Sequence, residues 1–250
     1  MEPTMVTASR VRPTYPSSVN RLLGILDPDA LAEVSLGMVG VQLKRGAILH
    51  DRGKTIDHVF FPIDGLVSLV TVMENGDAVE NAIVGHEGAV GTKAGFGRHV
   101  SFTRVVAQVP TTALRLRRSE FCHLVDHRAA FRDAISRFNE GLVAQIQQTA
   151  ACLATHKLEA RVCRWLLLAA DRMKDDTLPM TQEHLARIHG AHRASLNATL
   201  GALQDGEAIR YVARGRLALR RERLEGLACG CYRNIRSVEL ATSNQNSAAG

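Results

Sequence analysis

Hydrophobic positions recur with three different periods along the chain, and the changes of period divide it. From Asn20 to Leu36, "NRLLGILDPDALAEVSL" repeats apolar residues at helical spacing with an interruption at Pro28, which predicts short helices leading into a first domain. From Val39 to about Arg118 the period shortens. The runs "HVFFPI", "LVSLVTVM", "AVENAIV", "TRVVAQV" and "TALRL" are β-rich and are separated by turn clusters such as "PIDG", "ENGD" and "GHEG". Short strands between Gly-bearing turns predict a small antiparallel barrel or sandwich.

Helical spacing returns from Ala129 to Ala154, where Phe131, Ile135, Phe138, Leu142, Ile146, Thr149 and Leu153 follow one another at intervals of three and four. Such a stripe either packs on its own barrel or forms the seam of a two-stranded coiled coil. The length of the helix favours a homodimer through Phe131 to Leu153. A second helix is predicted over Leu158 to Arg172, and "DDTLP" (Asp175 to Pro179) links it to the next segment.

That segment, "MTQEHLARIHGAHRASLNATLGALQDGEAIRYVARGRLALR", holds two short helices around a glycine. Thr181 is a good N-cap, because its hydroxyl can accept from a backbone N–H left unpaired in the first turn. Leu185 and Ile188 form the inward face of the first helix. Gly190 supplies the turn, and Leu196, Leu200 and Leu203 face inward from a second helix, His192 to about Gln204. This is a helix-turn-helix. "AIRYVARGRLALR" alternates like a hairpin and predicts a wing. The fold class read from these patterns is α+β: an N-terminal antiparallel barrel or sandwich (20–128), a long helix, the candidate dimerisation element (129–155), and a C-terminal winged helix-turn-helix (156–236).

Charge sharpens this picture. Of the formal +6, the stretch from His156 to Arg236 carries the whole excess, with 15 Lys/Arg against 9 Asp/Glu, which suggests a polyanionic partner. The outward positions of the second helix, His192, Arg193, Ser195, Asn197 and Thr199, can all bond base edges or phosphates. The partner read from them is double-stranded DNA. The other reading is a non-catalytic effector-binding or protein-interaction module whose helix-turn-helix does not read DNA.

Apolar runs such as "GLVSLVTVM" fall short of the roughly 20 residues a membrane span needs, and the N-terminus has no apolar core of a secretion signal. No membrane partner and a cytoplasmic location are expected. Cys122, Cys152, Cys163, Cys229 and Cys231 are odd in number and irregularly spaced, so free thiols are the default. The CxC pair Cys229 and Cys231 lacks the CxxC…CxxC arrangement of a zinc module, and no metal site is expected there. His123 and His127 share a helix face, but exposed helical histidines are common.

With these motifs in this order, the chain resembles the Crp/Fnr family of bacterial transcription regulators over nearly its whole length. "LKRGAILHDRGKTIDHVFFPIDGLVSLVTVMENGDAVENAIVGHEGAVG" is similar to the family's cyclic-nucleotide-binding-type β-roll. "HKLEARVCRWLLLAADRMKDDTLPMTQEHLARIHGAHRASL" is similar to its helix and helix-turn-helix beyond the dimer helix. The resemblance implies a homodimer, an effector or sensory domain in front of a DNA reader, an inverted-repeat operator and, for an activator, contact with RNA polymerase. Arg193 falls where the family places a base-reading arginine. Thr181, Gln182, His192 and Ser195 fall near phosphate positions, and wing residues Arg214 and Arg216 are expected to meet phosphate. Ala194 and Ala198 stand where the best-known members carry a glutamate and a second arginine, so their operator does not transfer.

The same resemblance bears on cofactors, and no cofactor is firmly expected. Cyclic-nucleotide binders of the family carry Gly-Glu-Leu and then Arg-Ser to hold ribose and cyclic phosphate. This chain offers Gly88-Ala89-Val90 and Ser101-Phe102, with Arg98 and Arg104 nearby. A buried phosphate without its charge partner is poorly stabilised, so cyclic nucleotide is not expected as the effector. An iron-sulfur sensor of the Fnr type needs an N-terminal cysteine cluster, and the first cysteine is Cys122. Haem stays open through His50, His58, His86 or His99. His86-Glu87 lacks the second His of HExxH, and there is no GxSxG or P-loop, so catalysis is not expected.

Overall fold

The computed structural model describes residues 7–8, 20–97, 99–212 and 215–244; Arg98 and Arg214, both candidates from the sequence, lie outside them. After a two-residue strand β1 (Thr7–Ala8), the first helix α1 (Pro28–Leu36) begins on the proline that interrupts the sequence pattern. Pro28 opens this helix instead of breaking one, since its missing N–H costs nothing in the first turn. Asp27 caps it by accepting from the Ala30 amide at 2.8 Å.

Seven further strands build the roll: β2 (Val39–Leu43), β3 (Ile48–His50), β4 (His58–Asp64), β5 (Val67–Val72), β6 (Ala78–Val84), β7 (Arg104–Ala107) and β8 (Thr111–Arg117). They form two antiparallel four-stranded sheets, ordered β1-β2-β8-β4 and β3-β7-β5-β6. Inward residues of both sheets, among them Val41, Leu43, Phe60, Val67, Val84 and Val105, fill the space between them. The turn between β4 and β5 requires Gly65, which has φ of 86° and where a Cβ would lie 2.7 Å from the Pro110 carbonyl oxygen.

Helices α2 (Arg118–His127) and α3 (Ala129–Thr155) come next in the chain. With α1 they close a second core outside the first sheet, where the Phe121 and Phe131 rings meet edge to face at 5.5 Å. Helix α4 (Leu158–Met173) is buried almost all round, because it lies between the roll and the C-terminal unit. That unit contains β9 (Thr177–Leu178), α5 (Gln182–His189), α6 (Arg193–Asp205), β10 (Ile209–Val212), β11 (Arg216–Leu219) and α7 (Arg221–Leu227). One hydrophobic cluster runs from Leu66, Ile83 and Val109 of the roll, through Trp165 to Leu168 of α4, to Leu185, Leu196 and Leu200. The two halves thus share a core instead of meeting at a wet hinge.

A last helix, α8 (Cys231–Asn244), has no counterpart among the elements read from the sequence, and it runs past residue 236. It packs along α3: Gln148 donates to the Cys231 sulfur at 3.0 Å, and a Cβ on Gly141 would lie 3.2 Å from Thr242 Oγ1.

Candidate nucleic-acid interface

The Thr181 hydroxyl caps α5 by accepting from the His184 amide at 3.3 Å, and Gly190 ends it at φ of 55°, the left-handed conformation a non-glycine residue resists. Leu185, Ile188, Leu196, Leu200 and Leu203 are buried between the two helices and α4. This holds α6 with His192, Arg193, Ala194, Ser195, Asn197 and Ala198 exposed. Gln182 is exposed at the start of α5, and Thr181 is half-buried. Thr199 is less free than its position suggests, because its hydroxyl donates to the Ser195 carbonyl at 2.9 Å.

Arg193 does not stand alone. Its guanidinium lies 3.2 Å from Glu183 Oε1, and Arg187 reaches the same oxygen at 3.8 Å. All three side chains are about two-thirds exposed, and a pair this wet contributes at most about 1 kcal/mol, so an arriving phosphate or guanine can displace Glu183. Sequence spacing does not single out Arg187; it is a cation on α5 brought beside Arg193 by the turn.

The wing is the antiparallel pair β10–β11, extended by β9 through Leu217 opposite Leu178. Arg216 is tied inward: its Nη2 donates to Asp175 Oδ2 at 2.9 Å and to the Thr177 carbonyl at 2.7 Å. In the structure Arg216 clamps the wing to the linker ahead of α5. Arg214 lies outside the described residues.

Polar contacts join the reader to the roll. Glu80 of β6 is buried, and its carboxyl accepts from the Ser68 hydroxyl and from the indole N–H of Trp165 in α4. Burial pushes its pKa from 4.5 up to about 7, against these two donors and the more distant Arg164 and Arg172. His189 of α5 packs edge to face on Trp165 at 5.8 Å, and burial holds it neutral, down to about 3. His184 lies 2.6 Å from Gln108 Oε1 of the roll. A cleft lined by Arg45, Glu80, Arg104, His184 and Arg187 opens between the roll and α5. Arg172, also buried, donates to the Ile83 carbonyl at 3.0 Å and ion-pairs with Glu87 and with Glu239 of α8.

The segment in the place of the nucleotide cradle is occupied by the protein itself. Gly88 lies against the Phe138 ring, where a Cβ would collide. Arg104 is held by Asp51 through two bonds of 3.0 Å, a forked pair at the surface of the roll that leaves both side chains more than a third exposed. The Ser101 hydroxyl donates to the Thr103 carbonyl at 2.7 Å. Of the histidines considered for haem, His86 and His99 face the carbonyls of Arg172 and Ala94 at 2.6 and 2.7 Å. His50 is buried with its pKa lowered to about 4 by desolvation, and His58 is lowered for the same reason. His123 and His127 stack on each other at 4.2 Å.

The stripe on α3 divides. Phe131 and Ile135 are buried in the chain's own second core, Phe138 packs on Gly88, and Thr149 is buried where it accepts from Arg164 at 3.3 Å. Leu142, Ile146 and Leu153 remain partly open, beside exposed Val143 and Ala150. Helix α8 covers the adjoining side at Gly141 and Gln148, and Cys229 just ahead of it meets Cys152.

Comparison with known proteins agrees with this architecture. The family model of the cyclic nucleotide-binding domain matches residues 40–128, and that of the Crp-like helix-turn-helix domain matches residues 160–227. Among solved structures the chain is similar to FixK2 from Bradyrhizobium japonicum, with TM-score 0.67 and 15% identity over 77% of this chain and 98% of that one. It is also similar to a CRP-family transcriptional regulator from Thermus thermophilus, with TM-score 0.62 and 22% identity over 75% and 95%. The c-di-GMP-responsive global regulator CLP from Xanthomonas campestris matches with TM-score 0.62 and 14% identity over 77% and 99%. A search of curated proteins found no match. No helix among the described residues is long and apolar enough to cross a membrane. The two family models together cover more than half of the chain, one on the roll ahead of the long helix and one on the helix-turn-helix unit behind it, and the chain belongs to the Crp/Fnr family of transcriptional regulators.

Proposed function

We propose that the protein is a homodimeric, sequence-specific DNA-binding regulator whose roll controls how the reader is held. The observation that carries this reading is the exposed face of α6. It presents Arg193, Ser195 and Asn197 beside small Ala194 and Ala198, so the helix backbone can approach base edges closely. Arg193 reads a guanine with Ser195 or Asn197 assisting. His192, Gln182, Thr181 and Arg187 meet phosphates, as do wing residues Arg216 and Arg214, and Thr199 supplies an acceptor oxygen. The two readers are brought together by α3 through Leu142, Val143, Ile146, Ala150 and Leu153. A two-fold dimer calls for an inverted repeat with half-sites about 34 to 36 Å apart. RNA polymerase is the further partner if the regulator activates.

Effector control acts through the shared core. A ligand entering the cleft between Arg45, Arg104 and Arg187 touches roll and α5 at once, and it perturbs the Glu80–Trp165 contact beneath. A gel-shift series at rising salt tests the reading against the alternative of an interaction module that does not read DNA. Phosphate contacts make DNA affinity fall steeply with ionic strength, and absence of any salt-sensitive shift on genomic fragments overturns it.

A further inference from the structure

The tertiary fold gathers four side chains that the sequence keeps far apart. Cys152 lies in the last turn of α3 and His156 is the residue that ends it, one helical turn on. Cys229 and Cys231 flank Gly230 where the chain enters α8. Their sulfur atoms and the His156 ring nitrogen all lie within 4.8 Å of one another. Cys152 Sγ is 3.5 Å from Cys229 Sγ, and Cys231 Sγ is 3.7 Å from His156 Nδ1. Around a tetrahedral zinc ion, Zn–S bonds of about 2.3 Å and Zn–N bonds of about 2.0 Å put ligand atoms about 3.5 to 3.8 Å apart. The two separations lie within about 0.3 Å of those edges. Among the described residues this is the one group of three or more such ligands.

We infer that Cys152, His156, Cys229 and Cys231 form a Cys3His site for a divalent zinc-like ion that pins the start of α8 to the joint between α3 and α4. Three thiolates and one imidazole select a borderline-soft d10 ion over magnesium or calcium. As the ion binds, three thiols release their protons to solvent and the neutral imidazole gives its Nδ1 lone pair, so the site carries one net negative charge. The Gln148 amide, 3.0 Å from the Cys231 sulfur, donates to that thiolate and orients it. All four protein ligands leave no open position, which marks a structural site. Its place gives it leverage: α8 also supplies Glu239 to the buried Arg172 of α4, so release of the ion loosens α8, α3 and α4 together.

The test uses the full-length protein. Metal analysis after dialysis is expected to find about one zinc per chain, and exchange with cobalt(II) is expected to give tetrahedral ligand-field bands and thiolate charge transfer. The charge-transfer intensity falls by about a third in each of Cys152→Ser, Cys229→Ser and Cys231→Ser, in proportion to thiolates lost, and stays unchanged in Cys122→Ser and Cys163→Ser. Chelation lowers the melting temperature by at least about 5 °C. The inference is overturned if wild-type protein shows no charge transfer at stoichiometric cobalt, if Cys229→Ser leaves it unchanged, or if the purified protein holds a Cys152–Cys229 disulfide and no metal. Should the serine variants not fold, the wild-type titration decides by itself, and Cys229→His, which keeps four ligands, is expected to retain metal with weaker charge transfer.

Discussion

The reading helix and the segment after β6 are both places where the family resemblance assigns a ligand, and they differ in what their polar groups are doing. On α6, Arg193, Ser195 and Asn197 are exposed, and among the described residues Arg193 is engaged in an exposed pair with Glu183. In the roll, Arg104 is held by Asp51 through two bonds in a pair just over a third exposed, Ser101 bonds the backbone, and Gly88 is covered by Phe138. A binding group has to be free or held by something weaker than the ligand. That criterion favours the proposal that α6 is the reader, and it supports the expectation that the segment after β6 does not hold a cyclic nucleotide.

The comparison breaks most severely if the readers are not paired. Replacing Ile146 and Leu153 together by Glu puts charge in the open half of the α3 stripe and leaves the buried half intact. Monomer by light scattering is expected, with DNA affinity lower by about 100-fold or more as the second half-site is lost. A dimer with unaltered affinity would move the interface elsewhere.

Next in size is the coupling between the two regions. Glu80 keeps its proton in the folded chain up to about pH 7, whereas the unfolded chain loses it near the ordinary 4.5. Between those values the folded chain holds more protons, so its stability falls as pH rises; the contribution is complete below pH 4.5 and lost above 7. Shifts of this size correspond to about 3 kcal/mol. Glu80→Gln keeps an acceptor for Trp165, and it is expected to flatten the decline between pH 5 and 7.5 in urea denaturation. Identical slopes in the two proteins would remove Glu80 from the interface account.

Smaller effects separate the kinds of contact on the reader. Arg193→Ala is expected to cost about 1 to 3 kcal/mol on the cognate site and to blur preference at one base position. Arg187→Ala should weaken every sequence alike and reduce the salt slope by about one. If Arg187→Ala changes the preferred base and Arg193→Ala does not, the groove assignment is reversed. Smallest of all is cyclic AMP, for which calorimetry is expected to show no saturable binding at micromolar ligand; binding that disappears in Arg104→Ala would show that the Asp51 fork opens.

Most elements are legible in the sequence because their periods are clean. The run "AVENAIV" coincides with β6, and the second helix read from His192 to Gln204 is found at Arg193–Asp205. What the sequence hides are facts of long-range proximity. The periodicity on α3 reveals a stripe, but it does not reveal that Phe131 and Ile135 are covered by the chain's own α2 and roll. Arg216 reads as a free wing cation because Asp175 is 41 residues away in sequence. The CxC pair reads as two free thiols because its partners Cys152 and His156 lie in another helix, and α8 escapes notice because "CYRNIRSVELATSN" carries few strongly apolar positions.

The central claim, that a paired α6 reads DNA, is tested most directly by selecting binding sites for the full-length protein from random duplexes and titrating the winner against salt. The account predicts an inverted repeat whose half-sites lie about one helical turn apart, and an affinity that falls steeply and linearly on logarithmic axes as salt rises. Enrichment of no common sequence, or an affinity indifferent to salt, would contradict it.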